Sequence, residues 1–173
     1  MMKYFSLKAD LTAITNKPTL SQEMKREGAL LDIGTLKYDS NKILADYMET
    51  PIPLVSDALK NVLKMYDSKL KTTPLYFNDI KQGKQYLYWK VDVSVANRCI
   101  AETVTKRQNG LIADLVIDEK MAKHLNVFSV KDNQKTIWVV NQIVAESLLR
   151  RGLSGFELKE IKTWKGGVED GRL

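Results

Sequence analysis

A run bracketed by prolines, Pro51-Ile52-Pro53-Leu54-Val55, leads straight into a serine and then a helical apolar stripe, and this junction constrains the fold more than any other stretch. Each proline disfavours helix at the residue before it, so the run is extended. Ser56 stands where an N-cap should, with Asp57 in the first turn, where a carboxylate complements the helix dipole. Ala58, Leu59, Val62, Leu63 and Tyr66 follow on one helical face, with Lys60, Asn61, Lys64 and Asp67 opposite. The spacing predicts an amphipathic helix fed directly by an extended segment.

A second helix is predicted after Asn141, another good N-cap. Val144, Ala145, Leu148 and Leu149 share its apolar face, and Arg150 and Arg151 occupy its last turn. Gly152 is then the expected left-handed residue, and Leu153 can pack back on Leu148, as a Schellman ending requires.

The rest reads mainly as strands. Tyr4-Phe5-Ser6-Leu7 is a short opening strand. Leu75-Tyr76-Phe77 and Tyr86 to Val91 form an aromatic-rich hairpin with a polar turn over Asn78–Lys84. Residues 92–110 are a polar connection, Ile112 to Ile117 one strand, and Asp118 the cap of a short helix over Glu119–Leu125. Val127 to Val130 and Thr136 to Val140 flank Lys131–Lys135 in a second hairpin. Phe156 to Ile161 alternates apolar with charged residues, which predicts a half-exposed strand. Residues 8–50 read as loops, with a short strand or turn near Leu30-Leu31-Asp32-Ile33. These elements predict a single α+β domain over residues 1–164, with a mostly antiparallel sheet and two main amphipathic helices. Residues 165–173 have little to bury and read as a frayed tail. Regular βαβ alternation is missing, which argues against a Rossmann-type sheet.

Composition narrows the chemistry. The 173 residues suit one domain, and 44% hydrophobic content is enough for a core, against whole-chain disorder. One cysteine excludes an internal disulfide and a cysteine-based zinc site, and one histidine leaves a single imidazole as a candidate base. No apolar run approaches the ~18–20 residues of a membrane span, and the first ten residues lack a signal-peptide core. A cytoplasmic protein is expected, and the unpaired Cys99 suits a reducing compartment.

Candidate reactive groups do not converge by spacing. His124 falls near the end of the short predicted helix, a common place for an exposed histidine without a role. Cys99 follows Arg98, a cation that could lower a thiol pKa, although sequence neighbours need not point the same way. Asp114 and Asp118 sit in different elements; Asp118 and Glu119 open a helix; Glu157 and Glu160 point to opposite faces of a strand. Neither a P-loop nor a GxGxxG pattern occurs, and Gly166-Gly167 is the only glycine doublet. No catalytic, cofactor-binding or metal-binding residue is assigned, and no cofactor is expected.

The charge is +6, from 27 basic and 21 acidic residues, and residues 51–110 hold ten basic against five acidic. The lysines of that segment, from Lys60 to Lys90, are spread out as on a solvated surface, and no run of five or six basic residues forms a nucleic-acid arm. Tyr86, Tyr88 and Trp89, flanked by Lys84 and Lys90, have the residue types for stacking bases or for anchoring a protein partner, with packing as the structural explanation.

From Pro51 to Ile161 the motifs resemble a known family. They are Ile52-Pro53-Leu54-Val55-Ser56-Asp57 before the first helix, Tyr86-Leu87-Tyr88-Trp89, Leu115-Val116-Ile117-Asp118, and the ending Arg150-Arg151-Gly152-Leu153-Ser154-Gly155-Phe156. The chain resembles small bacterial proteins grouped with polymorphic-toxin immunity proteins, of the type related to a myxobacterial immunity domain. The resemblance implies a cytoplasmic protein that binds and neutralises a cognate toxin without catalytic residues. The other reading is a nucleic-acid-binding or regulatory module using the basic 51–110 segment. The basic balance predicts an acidic or neutral target surface for an inhibitor. Homo-oligomerisation through an exposed sheet edge stays open.

Overall fold

The computed structural model describes residues 2–16, 18–19, 33–49, 52–133 and 135–165. In chain order the first elements are β1 (Tyr4–Ala9), β2 (Pro18–Thr19), β3 (Ile33–Leu36), β4 (Tyr47–Met48), β5 (Leu54–Ser56), α1 (Asp57–Tyr66), β6 (Lys71–Asp79) and β7 (Lys84–Asp92). They are followed by β8 (Thr105–Lys106), β9 (Ile112–Asp114), β10 (Val116–Asp118), α2 (Glu119–Ala122), β11 (Val127–Asp132), β12 (Lys135–Asn141), α3 (Gln142–Arg150) and β13 (Phe156–Trp164).

The chain is strand-rich and of α+β type, but its strands form two larger sheets and a ribbon rather than one sheet. One sheet has the order β10-β13-β1-β12-β11, another the order β2-β3-β6-β7-β5-β4, and β8 pairs with β9 alone. The pairings are antiparallel except β10 with β13 and β3 with β6. Three helices are present among the described residues, one of them a single turn.

Local signals place α1 and α3. Ser56 Oγ accepts the Leu59 N–H at 3.2 Å, and Asn141 Oδ1 accepts the Val144 N–H at 3.1 Å. Leu59, Val62 and Leu63 of α1 and Val144, Ala145 and Leu148 of α3 are buried in one core between the two sheets. Leu7, Trp138 and Val140 reach that core from the five-stranded sheet, and Tyr47, Val55 and Val91 from the six-stranded one. Burying each such large side chain is worth roughly 1.5–3 kcal/mol. A further core, with Leu54, Leu75, Phe77 and Tyr88, covers the other face of the six-stranded sheet.

The five-stranded sheet curls. Ala96 N–H donates to the Ser129 carbonyl of β11 at 2.8 Å, and Ala101 N–H donates to the Val116 carbonyl of β10 at 2.9 Å. One strap over 94–101, shortened by a 3-10 turn at Asn97–Cys99, therefore reaches both outer strands. Strands spaced ~4.8 Å apart would hold these edges ~19 Å apart in a flat sheet, and the strap is too short for that unless the sheet rolls. The roll encloses Tyr4, Cys99, Ile117, Phe128, Val139 and Ile161.

Other differences have physical reasons. The predicted strand over Ile112–Ile117 splits, because β9 turns away to pair with β8 while β10 joins β13. The short helix stops at Ala122, where Leu125 N–H bonds back to the Ala122 carbonyl. Residues 8–50 contribute the end of β1 and the short strands β2, β3 and β4, with β3 held by the remote β6. The predicted segment Leu30–Asp32 and tail residues 166–173 lie outside the described residues.

Candidate protein-interaction site

The most specific sequence motif turns out to be a clasp. Gly152 has φ +64° and ends α3, its N–H bonding the Leu149 carbonyl at 3.0 Å. Leu153 is half-buried against the core that contains Leu148. Ser154 donates its N–H to Asp46 Oδ2 at 2.7 Å, and Asp46 returns its own N–H to the Ser154 carbonyl at 2.9 Å. Ser56 Oγ donates to the other oxygen, Asp46 Oδ1, at 2.6 Å. Gly155, at φ +85°, lies so close to Ala45 and Tyr47 that a Cβ would collide with them. This motif thus joins the end of α3 to the start of α1, and sequence reading missed Asp46 because its partners are remote.

Of the candidate reactive groups, Cys99, Asp118 and Glu119 fall in one neighbourhood around Tyr4, and Glu157 and Glu160 lie on β13. His124 is exposed beyond the end of α2. Cys99 is wholly buried, and burial pushes its thiol up, with Arg98 opposing and Asp118 adding to the rise. A protonated buried thiol is a poor nucleophile. The Asp118 carboxylate caps α2 by accepting the Lys120 and Met121 N–H groups. Glu119 accepts the Met2 N–H at 3.2 Å, and Glu160 pairs with Lys3 at 3.0 Å. Glu157 and Glu160 stand opposite Lys8 and Phe5 of β1, on opposite faces. Among the described residues no three His, Cys, Asp or Glu side chains gather to hold a metal ion. No described helix is long and apolar enough to cross a membrane.

The aromatic trio is taken up by packing. Tyr88 is buried and donates its hydroxyl to the Ala45 carbonyl at 3.1 Å; burial, with Asp46 nearby, pushes its phenol up to about 12. Tyr86 stacks on Tyr38 with ring centroids 6.0 Å apart. Trp89 donates its indole N–H to Asp57 Oδ1 at 2.9 Å, and Lys60 Nζ lies 3.7 Å from the ring centroid.

One recess is built differently. Its volume is ≈ 310 Å³, and it opens at the mouth of the roll beneath the β8–β9 ribbon. Lys159 and Ile161 of β13, Ser6 and Lys8 of β1, and Lys135 and Ile137 of β12 line it from three neighbouring strands of the sheet. The ribbon is fastened there, since both Asp132 carboxylate oxygens accept the Ile112 N–H, at 3.0 and 3.2 Å. Of the five cations that line the recess among the described residues, only Arg107 comes from the basic 51–110 segment. The middle-segment excess therefore does not make this surface; folding collects it from β1, β12 and β13.

The comparisons with known proteins bear on the class. The profile of the immunity protein family (Imm11) matches residues 14–163, and the chain belongs to that family. A search of curated proteins gives no match. The family match spans the clasp and both longer helices, and it begins within the stretch that local patterns left as loops.

Proposed function

We propose that this chain is a cytoplasmic immunity protein that binds a cognate bacterial toxin of the polymorphic type and neutralises it by contact alone. The family match over residues 14–163 is the observation that carries this reading. The placement of the reactive groups supports a non-enzymatic role: Cys99 is wholly buried with its thiol pushed up by burial, and His124 is exposed beyond the end of α2. The core shared by both sheets supports treating residues 1–164 as one folding unit.

The test is co-purification of the full chain with the small C-terminal module of a secreted protein encoded by the neighbouring reading frame. A stable complex that abolishes the module's toxicity is expected. Toxicity unaffected by this chain, with no complex formed, overturns the reading.

A further inference from the structure

We infer that the recess at the mouth of the five-stranded roll is a docking site for a short acidic segment of a partner protein. The inference deepens the immunity reading by naming the chemistry of the toxin surface, and it rests on that reading for the partner's identity.

The argument starts from charge. Lys8, Arg107, Lys135, Lys159 and Lys162 line the recess. Among the described residues none of the five has a carboxylate within 4.0 Å. Three carboxylates also line it, but two are engaged: Asp132 holds the ribbon through the Ile112 N–H, and Glu160 pairs with Lys3. Asp132 keeps its charge while accepting a neutral N–H, so Asp114 and Asp132 both oppose the five cations, and the described lining is still left net positive. Such a concentration of one sign at a concave surface steers and holds an opposite charge.

The lining also selects the kind of anion. Leu111, Ile112, Leu115 and Ile137 give the recess an apolar component beside its cations. A peptide that alternates acidic and apolar side chains satisfies both. A nucleic-acid strand fits worse, because among the described residues no aromatic ring lines the recess to stack a base. The volume of ≈ 310 Å³ takes one or two side chains, as a hot-spot pocket does, rather than a whole domain.

The test uses the full chain and two probes, an acetylated hexapeptide of alternating glutamate and leucine and an oligothymidylate of equal charge. Amide NMR shifts are followed on titration. The peptide is expected to shift Lys8, Ile112, Ile137 and Lys159 saturably, with affinity at least tenfold lower for Lys8→Glu/Lys159→Glu and weakening as salt rises. Lys8→Gln/Lys159→Gln, which introduces no new charge, should give an intermediate loss and guards against misfolding of the reversal variant. No shifts, shifts scattered over the surface, or tighter binding of the oligothymidylate at the same residues overturns the inference. The toxin module separates the two readings. Equal binding to wild type and the reversal variant overturns the acidic-docking inference and leaves the immunity reading standing. Failure of the wild-type chain to bind at all overturns the immunity reading, while the peptide titration still decides whether the recess takes an acidic segment.

Discussion

Asp46 and Ser154, 108 positions apart, exchange backbone and side-chain hydrogen bonds: Ser154 N–H reaches Asp46 Oδ2 at 2.7 Å, and Asp46 N–H reaches the Ser154 carbonyl at 2.9 Å. Because Asp46 also takes the Ser56 hydroxyl, one carboxylate ties the end of α3 to the cap of α1. Asp46→Asn removes the charge that strengthens these bonds and turns one accepting oxygen into a donor, which only a hydroxyl there could accept. Leaving a buried donor unpaired costs ~1–3 kcal/mol, so a fall in stability of that order is expected in urea unfolding. A variant as stable as wild type would remove the clasp from the account.

Gly152 and Gly155 both have positive φ, but their surroundings differ. Nothing lies within 4 Å of a Cβ built on Gly152, whereas one on Gly155 meets Ala45 and the Tyr47 carbonyl. Gly152→Ala should cost about 1 kcal/mol, the price of the left-handed backbone alone. Gly155→Ala should cost clearly more, because backbone must shift as well. Thermal unfolding of the pair decides it, and equal losses would contradict the packing described here.

Asp57 gives a pH prediction. The hydrogen bond from Lys60 is the main cause holding its carboxyl below the usual range; burial opposes, and Trp89 and Asn61 add further donors. A depressed folded pKa means that its contribution to stability is present above the unfolded value, ~3.9, and is lost as pH falls through the folded value. Trp89 fluorescence should therefore change only below the ordinary aspartate range, and Asp57→Asn should abolish that transition. A Trp89 transition that persists in the variant would assign it to another group.

The engagement of Tyr86, Tyr88 and Trp89 predicts weak, non-stacking contact with nucleic acid at that hairpin. Fluorescence of Trp89 titrated with single-stranded DNA should show no saturable quenching at physiological salt. Saturable quenching with a steep salt slope would favour the nucleic-acid reading.

How much of this was legible in the sequence follows from the range of the interactions. Ser56, Asn141 and Gly152 act within three or four residues, so the ends of α1 and α3 could be read locally. The β6–β7 and β11–β12 hairpins were legible too, because each closes through a short turn between neighbouring strands. The split at Leu115 could not be read, since β9 and β10 choose partners in different places. Neither could the curl, because the strap shows only as a polar connection until its bonds to β11 and β10 are known. The recess was hidden for the same reason: Lys8 reads as a loop residue, Lys135 as a turn residue and Lys159 as an ordinary strand lysine until β1, β12 and β13 lie side by side.

The central claim is inhibition by contact, and titration of toxin activity against known amounts of this chain tests it most directly. The account predicts a linear fall that ends at a fixed molar ratio, with residual activity set by unbound toxin. Complete inactivation by a small fraction of an equivalent, growing with time, would mean that the chain turns over a reaction, and the account would be wrong.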